Sequence, residues 1–138
     1  MKQQQESFAS LKEMAVVACG NSYSPYSKFS VGAAVIDTDG RAFAGCNVEN
    51  ASYGMTQCAE RNAIGAAISS GCKAGSLVTM LIYTPGDTVH PPCGACRQVM
   101  HEMMAPDSRV ISCSDGDDFR VWARNEHLPD AFVFPERF

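Results

Sequence analysis

Two short blocks, Cys58-Ala59-Glu60-Arg61 and Pro92-Cys93-Gly94-Ala95-Cys96, constrain the fold of this chain more than any other feature. Where each opens a helix, Cys93 and Cys96, three positions apart, turn their sulfurs to one side of the first turn. Cys58 stands at the start of the other helix. In a sheet built from consecutive strand–helix units both helix N-termini lie at the same edge, so three thiols far apart in sequence converge. The other cysteines agree with such a use. Seven cysteines is an odd number, and Met1 runs into the polar stretch Lys2-Gln3-Gln4-Gln5-Glu6 rather than a basic region followed by an apolar run. A secreted disulfide scaffold is therefore not expected, and a cytoplasmic protein is. A chain of this length buries roughly 65–70% of its unfolded surface, enough for a core without disulfide staples. Some of the thiols are then free or metal-bound.

No repeat, low-complexity tract or linker divides the sequence, so residues 1–138 read as one domain. Phe8, Leu11, Met14, Ala15 and Ala18 mark one helical face between Glu6 and Gly20. The turn-forming run Asn21–Tyr26 breaks that helix. Phe29–Ile36 and Arg41–Val48 read as strands joined by Asp37-Thr38-Asp39-Gly40, a hairpin. Cys58–Ser70 is Ala- and Ile-rich and ends at Gly71, as a buried helix does. Leu77–Tyr83 reads as a strand, Cys93–Met104 as a helix, and Val110–Cys113 and Phe119–Trp122 as two further strands. The tail from about Leu128 to Phe138 is expected to be irregular. The order predicts a three-layer α/β/α fold, a mixed five-stranded sheet made of a β-hairpin followed by βαβαβ-type units.

Three thiolates with no fourth protein ligand describe a catalytic zinc site, because a structural site closes its tetrahedron with four Cys or His ligands. One Zn2+ per chain is expected, with the fourth position left for water. The positive end of a helix favours the thiolate form. Glu60, two residues from Cys58, is placed to move protons rather than to bind metal. Three thiolates leave a Zn2+ cluster at a charge of about −1, which disfavours ionising water; Arg61, and after it Arg97, are the groups placed to offset that charge. Two plainer readings compete: a structural zinc site closed by Cys46 or a histidine, and Glu60 as a helix N-terminal charge.

A Cys or His, then one residue, then Glu, followed later by Pro-Cys-x-x-Cys, is the signature of zinc-dependent deaminases acting on nucleobases. Beyond it the chain resembles the small cytidine deaminases through Pro25–Phe29, Val31-Gly32-Ala33-Ala34, Gly45–Tyr53, Cys58–Arg61 and Pro92–Val99, over about Ser10 to Phe132. The resemblance implies hydrolytic deamination of cytidine and deoxycytidine to uridine and deoxyuridine, with release of ammonia, in pyrimidine salvage. It implies that Asn47 and Glu49 hold the ribose 3′-hydroxyl, that Phe29 packs on the pyrimidine, and that Ala51, Tyr53 and the Ala59 amide complete the substrate contacts. Arg61 and Gln98 support the ligands. It further implies a homotetramer with shared active sites, Phe132 reaching a neighbour's pocket, although the ending with Phe134 and Pro135 departs from the usual one. Glu60 takes a proton from the attacking water, passes it to ring N3, and protonates the departing amine.

Structural readings remain for several of these residues. Arg61 and Arg97 each suit an ordinary exposed or interface arginine, Asn47 and Glu49 suit turn and edge positions, and Phe29 suits a core strand. Cys19, Cys46, Cys72 and Cys113 read as small buried hydrophobes. His90, His101 and His127 read as structural or solvent-facing, and Met100, Met103 and Met104 as core or subunit interface. A deaminase of a related nucleoside such as blasticidin S is the nearest alternative function, though the intact Asn47/Glu49 pair favours an ordinary ribose. The net charge of −4 argues against a nucleic-acid binder. No apolar stretch approaches the ~20 residues of a membrane span.

Overall fold

The computed structural model describes residues 2–135. Its elements run α1 (Lys2–Cys19), β1 (Gly32–Asp37), β2 (Ala42–Cys46), a 3-10 turn (Tyr53–Met55), α2 (Ala59–Ser69), β3 (Leu77–Tyr83), α3 (Gly94–Met103), β4 (Met104–Cys113), β5 (Phe119–Ala123) and α4 (Arg124–His127). The five strands form one mixed sheet in the order β2-β1-β3-β4-β5. Only β3 and β4 pair in parallel, across the α3 connection. The expected three layers, hairpin included, are present.

Strand alternation decides which helix each face receives. Ala33, Val35, Met80, Ile82 and Val110 pack with Ala59, Ala63, Ile64 and Ala67 of α2 and with Cys96 and Met100 of α3. Ala34, Leu81, Tyr83 and Cys113 point the other way, against Leu11, Ala15 and Cys19 of α1. Each buried Leu or Met side chain contributes about 1.5–3 kcal/mol. Met100 and Met104 are therefore core residues, with Met103 partly buried against the same cluster. Two glycines set the approach of the helices. A Cβ on Gly32 would stand 1.8 Å from the Ala15 carbonyl oxygen, and one on Gly45 2.5 Å from the Ala63 amide nitrogen. The hairpin is closed by Asp37, whose Oδ1 accepts the Asp39 and Arg41 amides while its Oδ2 accepts from Arg41 Nε at 2.8 Å and from the Cys72 thiol at 3.2 Å.

The structure departs from the sequence expectation in four places. β1 begins at Gly32, not at Phe29, because Lys28 adopts a left-handed φ of 58° and the Asn47 side chain takes the Phe29 carbonyl and the Val31 amide. β4 begins at Met104, not at Val110: a register shift between Leu77 and Thr79 on β3 lets the segment carrying Pro106 bulge out without ending the strand. α4 follows β5 directly, its start capped by Glu126 Oε1 accepting the Ala123 amide at 2.9 Å. Cys46 is half-buried, whereas Cys19, Cys72 and Cys113 are buried. Of the expected irregular tail, residues 136–138 lie outside the described residues; from Leu128 to Pro135 there is no further helix or strand.

Candidate active site

Cys58 is the N-cap of α2, and Cys93 the N-cap of α3. Cys96 is one turn further on and fully buried. Because α2 and α3 lie side by side on one face of the sheet, their starts meet, and the three sulfurs lie within 4.8 Å of one another. Cys58 and Cys93 are 3.9 Å apart. Tetrahedral ligation at the usual Zn–S length of about 2.3 Å places sulfurs about 3.8 Å apart, so the trio fits a zinc ion with little movement. Among the described residues no other group of three or more His, Cys, Asp or Glu side chains comes together in this way. Cys46 and the histidines are outside the cluster, so no fourth ligand among the described residues closes it.

The thiols are electrostatically prepared. The Cys58 thiol is held down to about 5, first by a hydrogen bond from Cys96 and then by Arg61, against the opposing effect of burial. Cys96 is pushed up for the reciprocal reason, keeping the proton that its neighbour accepts. Metal binding replaces such a shared proton. Arg61 Nη2 donates to Cys58 Sγ at 3.2 Å, and its Nε is buried with no partner among the described residues. Arg97, open between a thiolate partner and an ordinary arginine, turns elsewhere: its Nε donates to the Pro92 carbonyl at 2.7 Å and its Nη1 to the His127 carbonyl at 3.0 Å. It braces the loop before α3 against α4. Truncating Arg61 to Ala is expected to weaken zinc retention by about 10–100-fold, the usual consequence of removing a hydrogen bond to a ligand. Competition with a graded series of chelators measures this.

Glu60 sits in the first turn of α2 and is only 5% exposed. Burial, more than the nearby Cys58 sulfur, pushes its carboxyl above the usual range. At this depth burial works against the charged form that a helix N-terminus favours, so the carboxyl is placed where it can hold as well as release a proton.

A second group of residues surrounds the exit of β2. The main chain of Val48 pairs on both sides, with Tyr23 and with Gln57, the residue before Cys58. Asn47 and Glu49 flank it and are buried. Asn47 Oδ1 accepts from the Val31 amide at 2.9 Å and from the Ser22 hydroxyl, and its Nδ2 donates to the Phe29 carbonyl at 2.7 Å. Glu49 Oε1 accepts the Tyr26 and Ser27 amides at 3.0 and 3.1 Å, and Oε2 accepts the Ser27 hydroxyl. That hydroxyl in particular holds the Glu49 carboxyl below the usual range. Phe29 is exposed rather than in the core, and its ring meets His90, in the loop before Cys93, edge-on at 5.0 Å. Tyr26 and Tyr53, also edge-on, line a pocket of about 260 Å³ with Ser27, Glu49 and Thr56.

The sequence expectation named most of these residues but not Ser27, Tyr26, Thr56 or His90 as contributors. Ser27 lay inside a matched block, yet a serine in a loop carries no spacing signal until its partner is known. Ala51 is exposed beside Tyr53, and Ala59 is buried at the first position of α2. Gln98 supports the tail: its Nε2 donates to the Phe132 carbonyl at 3.0 Å.

The model of the cytidine and deoxycytidylate deaminase zinc-binding region matches residues 4–113. A cytidine deaminase of Halalkalibacterium halodurans is 42% identical over 119 residues, 86% of this chain and 89% of that protein. One from Mycobacterium tuberculosis is 46% identical over 124 residues, 88% of this chain and 86% of its own length. Among solved structures, cytidine deaminase from Burkholderia pseudomallei superposes with a TM-score of 0.85 at 44% identity, covering 90% of this chain and 98% of that one. Agreement at this level extends well beyond the three cysteines, and on it the chain belongs to the cytidine and deoxycytidylate deaminase family.

Proposed function

We propose that this protein catalyses the zinc-dependent hydrolytic deamination of cytidine and deoxycytidine to uridine and deoxyuridine, with release of ammonia. The observation that carries the reading is the buried carboxyl of Glu60 beside three converging thiols that no fourth ligand among the described residues completes. Cys58, Cys93 and Cys96 hold the zinc, which when bound supplies the Lewis acidity that lets water react near neutral pH. Glu60 accepts the proton of the attacking water and delivers it to ring N3. As the oxygen adds to C4, Glu60 takes the second proton from the resulting C4 hydroxyl and passes it to the amine, so that the C4–N bond breaks, ammonia leaves and the C4 carbonyl forms. A carboxyl raised by burial suits both roles, since it gives up and regains a proton within one catalytic cycle. The Ala59 amide, in the first turn of α2, has no partner within the helix and is free for the base carbonyl.

The sugar end is read from the lone pairs that remain. Asn47 has one N–H left and Glu49 one lone pair left on Oε2, so together they donate to and accept from a single hydroxyl. The resemblance to the small cytidine deaminases makes the sugar 3′-hydroxyl that group, and both ribose and deoxyribose carry it. Phe29 presents a ring face to the pyrimidine. The pair also argues against blasticidin S as the substrate, in line with relatives that are cytidine deaminases.

The chain works as one unit in pyrimidine salvage in the cytoplasm, as a homotetramer. Support for assembly comes from Phe132, 70% exposed, and from Tyr53, largely exposed beside Tyr26: a neighbouring subunit would cover this aromatic surface. Tyr53 and Ala51 then lie at the shared site. No helix among the described residues is long and apolar enough to cross a membrane. Ammonia release from cytidine, deoxycytidine, free cytosine and blasticidin S, compared side by side, tests the reading. Both nucleosides are expected to be deaminated and free cytosine to be at least about 100-fold poorer, having lost the sugar contacts. Preference for blasticidin S or cytosine would overturn it.

A further inference from the structure

The contacts around Glu49 single out a side chain that the deaminase reading has not used. A carboxylate offers about four acceptor sites. On Glu49 the two sites of Oε1 are filled by the Tyr26 and Ser27 amides, and one site of Oε2 by the Ser27 hydroxyl. Ser27 thus decides where the last acceptor site points. Its own hydroxyl is not free to turn: Oγ accepts the Phe29 amide at 3.0 Å, which directs its proton at Glu49. The loop is in turn fixed by Lys28 donating its amide to the Ser24 carbonyl at 3.0 Å and by contact between the Ser24 and Ser30 hydroxyls at 3.1 Å.

We infer that Ser27 is a positioning residue for sugar recognition, orienting Glu49 so that its one open acceptor site meets the substrate 3′-hydroxyl. The inference rests on the assignment of Glu49 to the sugar made above. It does not concern the chemistry at Glu60, which lies on another element. Removing the hydroxyl leaves two backbone donors on Oε1 and lets Oε2 take water or rotate, so sugar binding suffers while the protein and its metal site persist.

The experiment compares cytidine with 3′-deoxycytidine on the wild type, Ser27→Ala and Ser27→Thr, with zinc content and thermal unfolding measured for each. The wild type is expected to use 3′-deoxycytidine at least about 100-fold less efficiently, because its absence leaves buried polar groups unpaired. Ser27→Ala is expected to lose about tenfold in kcat/KM on cytidine, mostly through KM, and less than about twofold on 3′-deoxycytidine, the size of one charge-assisted hydrogen bond. Ser27→Thr, which keeps the hydroxyl, is expected to restore cytidine use. An equal loss on both substrates, or a threonine variant no better than alanine, overturns the positioning role while the wild-type discrimination leaves the sugar assignment standing. A wild type indifferent to the 3′-hydroxyl overturns the assignment itself. Should the alanine variant fail to fold, Ser27→Gly gives the same comparison with the same two outcomes.

Discussion

Glu60→Gln is expected to retain one zinc per chain and to lose at least about 10⁴-fold in kcat, the upper end of what a single acid–base group contributes, because this one acts more than once. The substitution keeps the volume and the place of the side chain in the first turn of α2. It removes only the ability to accept and return a proton. The thiols that would hold the metal are unchanged, and so are the residues assigned to the sugar. Zinc analysis and single-turnover kinetics on the purified variant check the two halves separately. A glutamine variant within about tenfold of the wild type would move the proton transfers to another group.

Cys96→Ala is expected to lose both the metal and the activity, with zinc falling below about a tenth of an ion per chain after dialysis, since two thiolates do not hold a catalytic zinc. Cys96 is fully buried and packs within the cluster beneath α2 and α3, so the variant also loses some stability. Removing the small thiol there costs about 1–2 kcal/mol, which does not by itself unfold the domain. Far-UV circular dichroism close to that of the wild type, together with absent zinc and absent turnover, separates loss of the metal from loss of the fold. The contrast with Glu60→Gln is diagnostic: one variant keeps the metal without activity, and the other keeps neither.

The metal-bearing half of the site was legible because helix periodicity and cysteine spacing are local signals. Cys58, Cys93 and Cys96 needed only two helix starts on one face of a sheet to be brought together, and α2 and α3 begin where the blocks place them. The strand boundaries were less legible. Phe29 reads as a strand residue by its neighbours, yet the Asn47 side chain claims the Phe29 carbonyl from 18 residues away. No local pattern carries such a contact. Pro106 cannot donate to a strand ladder, and the register shift opposite it on β3 makes it acceptable in β4. Arg97 and Gln98 follow a metal ligand in sequence, but a helix turns successive side chains about 100° apart, so neighbours of Cys96 face α4 and the tail instead. Ser27 was invisible for a related reason: its importance lies in which Glu49 oxygen it touches.

The cluster of three thiols beside Glu60 is most directly tested by removing and restoring the metal on the purified protein while following ammonia release from cytidine. One zinc per chain is expected at the outset. Turnover should fall in proportion to the zinc removed by a chelator and return when zinc is added back. Cytidine deamination that continues at its original rate in protein shown to be free of zinc would contradict the assignment of Cys58, Cys93 and Cys96 to a catalytic metal.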